Sequence, residues 1–133
     1  MSIDTITIID IPKITDVRGN LSVIENDVVP FDIKRVYYLY DVPSGTHRGG
    51  HAHKTLQQLL IAISGSFNVV LKDRNGQQKT ITLNKPNKGL LIPNMTWREL
   101  EDFSSGAVCL VIASEIYDKE DYIRDFNKFL LKR

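Results

Sequence analysis

The chain has 133 residues, of which 42% are hydrophobic, enough to bury the core of one compact domain and too few for a second lobe. Its 17 lysines and arginines balance 16 aspartates and glutamates to a net charge of +1, spread along the whole length. This argues against a nucleic-acid surface, which must neutralise many phosphates together, but leaves a small anionic ligand possible. The N-terminus lacks a basic segment followed by an apolar stretch, and no later run nears the ~20 apolar residues of a membrane span, so a cytoplasmic protein without a membrane partner is expected.

In chain order the sequence reads as short β-branched or aromatic runs separated by turn residues, the pattern of an antiparallel sandwich or barrel. The first expected strands cover residues 5–11, 20–25 and 33–41, with breaks at Pro12, Arg18-Gly19 and Pro30. Strand 33–41 mixes polar and aromatic groups on both faces: Val36, Tyr38 and Tyr40 on one, Arg35, Tyr37 and Leu39 on the other. That mixture fits a strand lining a partly polar cavity, and equally an amphipathic strand at an oligomer interface. Strands 57–64 and 66–72 follow. The turn Asp73-Arg74-Asn75-Gly76 carries an Asn-Gly pair, which supplies the positive φ of a tight hairpin. Strands 79–83, 89–92, 97–100 and 107–114 complete the set. The one cysteine, Cys109, lies in an apolar run, cannot form an internal disulfide and reads as a buried strand residue.

Behind Asp118-Lys119-Glu120-Asp121, the residues Tyr122, Ile123, Phe126, Phe129 and Leu130 recur at helical spacing, with Lys128, Lys132 and Arg133 toward the end. Acidic residues first and basic residues last suit a helix dipole. A short C-terminal helix is expected, closing one face of the barrel or packing on a partner chain.

All three histidines fall in Thr46-His47-Arg48-Gly49-Gly50-His51-Ala52-His53. On a strand, His51 and His53 project from one face, so two imidazoles share one volume, an arrangement suited to metal binding, proton transfer or both. Gly49-Gly50 permits close approach, and Arg48 adds planar cationic donors. His47 reads as an exposed loop histidine. The spacing Gly45, His51-x-His53, Gln58, Gly65 resembles the first signature motif of the cupins, which implies a jelly-roll β-barrel with the site inside. Metal-binding cupins carry a glutamate where this chain has Gln58, and counting from Pro93, Met95 stands at the second motif's glycine and Arg98 at its ligand histidine. A neutral amide is a poor ligand for a divalent cation and a guanidinium repels one, so a site with no metal and no cofactor is expected.

Longer stretches narrow the resemblance. Asp16-Val17-Arg18-Gly19-Asn20-Leu21, Ile33-Lys34-Arg35-Val36-Tyr37-Tyr38, Arg48-Gly49-Gly50-His51-Ala52-His53-Lys54, and residues 59–65, 97–104 and 117–122 together resemble the dTDP-4-oxo-6-deoxyglucose 3,4-ketoisomerases of bacterial glycan pathways. The resemblance implies a metal-independent homodimer acting on a dTDP-linked 4-keto-6-deoxy sugar, whose product passes to an aminotransferase making a 3-amino sugar. Moving a ketone from carbon 4 to carbon 3 through an enediol needs a base and an acid. His51 is the expected base, His53 the proton relay, and Tyr38 the hydrogen-bond donor to the enolate, with the two histidine roles exchangeable. Arg18, Arg48 and Arg98 are expected to hold the pyrophosphate, and Gln58 and Tyr37 to line the pocket. The alternatives are a nucleotide-sugar epimerase of the same barrel class, a non-catalytic sugar-binding cupin, and a metal-dependent cupin oxygenase.

Overall fold

Backbone amides and carbonyls that leave water must pair, and short strands of this kind pair only with each other. In the computed structural model, which describes residues 3–25 and 27–131, the strands are β1 (Thr7–Asp10), β2 (Lys13–Asp16), β3 (Gly19–Ser22), β4 (Arg35–Leu39), β5 (Arg48–His53) and β6 (Gln58–Ser64). They continue as β7 (Phe67–Lys72), β8 (Gln78–Leu83), β9 (Lys88–Ile92), β10 (Trp97–Glu101), β11 (Val108–Ala113) and β12 (Tyr122–Ile123), before the helix α1 (Phe126–Leu131). One antiparallel sheet runs β1-β9-β6-β11-β4, a second runs β12-β5-β10-β7-β8, and β2-β3 forms a separate hairpin. The class is the expected all-β jelly roll, built as two facing sheets whose ladders do not join into a hydrogen-bonded barrel.

Side chains pointing inward from both sheets make the central core, including Leu60, Val69, Leu71, Leu90, Ile92 and Val111. Alternation along each strand sends every second residue there. Cys109 is part of this core, and burial pushes its thiol up to about 12, so it stays protonated and inert. The outer face of the first sheet, with Leu59, Ile61 and Ile112, is covered by Ile24, Val28 and Phe31 from the loop after β3. On the outer face of the second sheet, Phe129 and Phe126 of α1 pack with Trp97 and Ala52.

The β7–β8 hairpin forms where expected, but its loop spans residues 73–77, because Lys72 pairs with Gln78. Gly76 takes the positive φ of 82°, and the Asp73 carboxylate accepts from the amides of Asn75 and Gln77. Asp73 also accepts from the Ile3 amide 70 positions earlier, tying the chain start to this turn.

The C-terminal helix is shorter than its periodicity suggested. Tyr122 and Ile123 are a strand, paired with His53 and Ala52 at the end of β5, and the helix begins at Phe126. Two facts explain the correction. The end of β5 needs an edge partner, which the chain supplies at residues 121–123, with the Lys54 amide donating to the Asp121 carbonyl. The operative cap is Asp125, whose carboxylate accepts from the Asn127 and Lys128 amides, while Asp118 caps only a 3₁₀ turn, Lys119–Asp121. Lys132 and Arg133, assigned to the helix end, lie outside the described residues.

Candidate active site

Strand β5 delivers the site through an irregularity. Arg98 pairs with His51 while Glu99 pairs with Gly49, so Gly50 is an extra residue, with φ of 69°. Arg48 and His51 are three apart and would face opposite sides of a regular strand. The bulge at Gly50 resets the alternation, and both side chains line one cavity of about 430 Å³ between the sheets. β4 contributes Arg35 and Tyr37 by plain alternation, β6 contributes Gln58 and β10 contributes Arg98. Tyr117, Tyr122 and Arg124 close the remaining side from the C-terminal segment.

The cavity floor is a directed chain of hydrogen bonds. Arg98 is buried, donates through Nε and Nη2 to the Thr96 carbonyl at 3.3 and 3.2 Å, and donates through Nη1 to Oε1 of Gln58. That bond fixes the amide orientation, so Nε2 of Gln58 donates to the Tyr37 hydroxyl oxygen at 3.1 Å. Tyr37 thus accepts from below and keeps its own O–H to donate. Burial raises its pKa, so it remains a phenol. Burial also lowers Arg98 to about 10, which still leaves it cationic at neutral pH. Gln58 and Arg98 satisfy one another, and among the described residues no three His, Cys, Asp or Glu side chains gather as a ligand set.

The two histidines differ sharply in environment. Their rings meet edge to face with centroids 4.9 Å apart, and Tyr122 lies 5.0 Å from His51 and 4.4 Å from His53. His51 lines the cavity; His53 is 0% exposed. Nδ1 of His53 lies 3.0 Å from Oδ2 of Asp121. Burial, then the Arg98 charge, push His53 down to about 4 against the pull of Asp121, so the ring is neutral at neutral pH. For Asp121, burial works to raise the pKa, but hydrogen bonds from Thr55, His53 and Leu56 together hold it below the usual carboxylate range.

Of the residues singled out in the sequence, His51, Arg48, Arg98, Gln58 and Tyr37 meet in the cavity wall, with His53 sealed behind. Two do not. Tyr38 points to the opposite face of β4 and is 59% exposed, because β4 alternates without interruption and its neighbour Tyr37 faces in. Arg18 sits in the β2–β3 turn with its side chain 87% exposed, held 2.7 Å from Asp16, because the residues there form a projecting hairpin and no strand of the main sheets. His47 bonds Glu99 at 2.8 Å with its ring largely exposed, in keeping with a loop histidine. Arg35 was missed although it shares its face with Tyr37. Its Nε and Nη2 are buried without hydrogen-bond partners, and its guanidinium lies over the Tyr37 and Tyr117 rings at 4.9 and 5.7 Å. Asp121 and Tyr122 fall within the matched stretch 117–122, but helical periodicity assigned them to the start of the C-terminal helix, and Arg124 carried no signal.

Comparison with known proteins gives one consistent result. The WxcM-like, C-terminal family (FdtA) matches residues 4–133. A TDP-4-oxo-6-deoxy-alpha-D-glucose-3,4-oxoisomerase from Aneurinibacillus thermoaerophilus is 47% identical over 123 residues, 92% of this chain and 88% of that protein. Among solved structures, the sugar 3,4-ketoisomerase QdtA from Thermoanaerobacterium thermosaccharolyticum, in complex with TDP, superposes with a TM-score of 0.94 at 43% identity, over 97% of this chain and 94% of QdtA. The TDP-quinovose 3,4-ketoisomerase WlaRB from Campylobacter jejuni gives 0.93 at 45% identity, over 98% and 100%.

Proposed function

The chain belongs to the WxcM-like, C-terminal (FdtA) family, and from that premise we propose that it is an isomerase that moves the keto group of a dTDP-linked 4-keto-6-deoxyhexose from carbon 4 to carbon 3. The observation that carries this reading is a histidine, His51, in the wall of a cavity that also presents four guanidinium groups, those of Arg35, Arg48, Arg98 and Arg124. A base beside concentrated positive charge is what a diphosphate-linked keto sugar requires.

In this reading His51 removes the proton from carbon 3, and the C–H electrons form the carbon 3–carbon 4 double bond as the carbonyl oxygen takes the negative charge. Tyr37, in the role first expected of Tyr38, donates its O–H to that oxygen, and the Arg98–Gln58 chain beneath it holds the donor in direction. The oxygen 3 proton then passes by way of the Tyr37 hydroxyl to oxygen 4, the carbonyl re-forms at carbon 3, and carbon 4 takes back the proton that His51 carries. Atoms and charge return to balance, and only the carbonyl has moved. His53, with no surface in the cavity, serves His51 from behind. Arg35 and Arg48 are the diphosphate donors of this reading, supported by the unpartnered buried nitrogens of Arg35.

The same reading takes the enzyme as a cytoplasmic homodimer, supported by exposed Val36 and Tyr38 on the outer face of edge strand β4, by Tyr40 just after it, and by Ile14 and Leu21 of the hairpin. Its product is a 3-keto sugar, the substrate for an aminotransferase making 3-amino sugars for lipopolysaccharide, O-antigen or S-layer glycans. Incubation with dTDP-4-oxo-6-deoxyglucose and trapping of the product by a pyridoxal-dependent 3-aminotransferase tests the assignment. A trapped 3-amino sugar is expected; an unchanged substrate or a carbon 5 epimer would refute it.

A further inference from the structure

The buried end of the site contains a hydrogen-bond constraint that decides which nitrogen of His53 carries its proton. Asp121 receives four donors. Oδ1 accepts from the Thr55 amide at 2.8 Å and the Thr55 hydroxyl at 2.9 Å. Oδ2 accepts from the Leu56 amide at 3.3 Å and faces Nδ1 of His53 at 3.0 Å. A backbone amide can only donate, so each carboxylate oxygen is held as an acceptor by at least one group with no alternative. These donors stabilise the ionised form and, against burial, hold Asp121 below the usual carboxylate range, so at neutral pH both oxygens only accept. The hydrogen between Asp121 and His53 belongs to Nδ1. The other nitrogen, Nε2, is buried with no hydrogen-bond partner, in a ring whose centroid lies 4.9 Å from that of His51 and 4.4 Å from that of Tyr122.

We propose that Asp121 is a positioning residue for the reaction, locking buried His53 in the Nδ1–H tautomer so that it offers the His51 side of the site a lone pair and never an N–H. This rests on the reading of His51 as the carbon base and deepens it. A neutral ring bearing a lone pair, 4.9 Å from His51, sets no like charge against an imidazolium forming there. It also removes His53 from the list of acids, leaving the donor role to Tyr37. The low proton affinity of His53 fits this assignment. Asp121 does the same for the chain itself: by accepting from Thr55 and Leu56 it fixes the turn that leaves β5.

The test uses the whole protein labelled with ¹⁵N-histidine, with the His53 resonances identified by their loss in His53→Gln. At neutral pH the account expects a protonated Nδ1 and an unprotonated Nε2. Asp121→Asn must turn an NH₂ toward one of these partners, and with the amide nitrogen facing His53 the ring becomes an acceptor at Nδ1 and a donor at Nε2. The expected result is an inverted tautomer, with kcat reduced about 10²- to 10⁴-fold, the scale of lost orienting partners and wrong tautomers elsewhere, and KM changed little. A protonated Nε2 in the unaltered protein overturns the proposal, as does wild-type kcat in a folded Asp121→Asn. Where that variant does not fold, the spectrum of the unaltered protein decides alone. Because the spectrum needs no substrate, a failure of the ketoisomerase reading would appear separately, as absent turnover in a protein whose tautomer is nevertheless measured.

Discussion

Strands β4 and β5 both feed the cavity, and they do so by opposite means. β4 keeps strict alternation, so Arg35 and Tyr37 face in while Val36 and Tyr38 face out. β5 breaks alternation at Gly50, so Arg48 and His51 face in together. One strand separates its functional groups from its surface by periodicity alone; the other needs a residue that tolerates a positive φ. Regular strands present side chains to one face only at even spacings, and a site that needs a base and a guanidinium an odd number of residues apart on one face must interrupt the ladder.

The sharpest way to break this contrast is a pair of single-atom deletions on β4. Tyr37→Phe removes the inward hydroxyl and is expected to lower kcat about 10²- to 10³-fold, the usual loss for one oxyanion donor, whereas Tyr38→Phe should leave steady-state kinetics within about twofold. Equal effects would mean that the two faces of β4 had been assigned wrongly. A smaller effect is expected on β5. Gly50→Ala meets nothing closer than the Trp97 ring at 3.9 Å, so its cost is conformational, about 1–2 kcal/mol for a side chain at positive φ. Urea unfolding measures that loss, and kcat should fall with it if the strand escapes by straightening and turning Arg48 or His51 out of the cavity.

A last effect concerns pH and stability and leaves the strand geometry untouched. In the unfolded chain His53 binds a proton below its ordinary value of 6.5, whereas in the fold it does so only near 4. Between those values the unfolded state holds more protons, so stability rises with pH and is lost as pH falls from 6.5 toward 4. Depression of the Asp121 pKa acts in the same direction at lower pH. Calorimetry should therefore show Tm dropping across that window, and His53→Gln should flatten the slope. An unchanged slope in the variant would mean that His53 is not held neutral.

Much of this architecture was legible because it follows period two. The strand runs, the Asn75-Gly76 hairpin and the inward burial of Cys109 came from alternation and turn chemistry, and the spacing around His51 and His53 pointed to the sheet that bears them. The two faces of β4 were also separable in the sequence. Which face turns inward was not, and that is why Tyr38 was expected in the pocket together with Tyr37, although only Tyr37 lines it. That Arg18 lies away from the cavity of its own chain was not legible, because the motif around it gives no indication that these residues project as a hairpin. The C-terminal segment misled for a different reason. Helical spacing of Tyr122, Phe126 and Phe129 is a local signal, but Tyr122 answers to a vacant edge of β5 about 70 positions away, and tertiary pairing overrode periodicity. The partners of Asp121 were not legible even though it lies in the matched stretch 117–122, since its four donors lie at residues 53–56.

The central claim is that His51 takes the proton from carbon 3. Incubation of the unaltered protein and His51→Asn with dTDP-4-oxo-6-deoxyglucose in deuterated water, read by proton NMR, tests it most directly. The unaltered protein should place deuterium at carbon 3 of recovered substrate and carbon 4 of product, and His51→Asn should retain its fold and exchange neither. Exchange at carbon 3 persisting in His51→Asn, or deuterium at carbon 5 with the unaltered protein, would contradict the account.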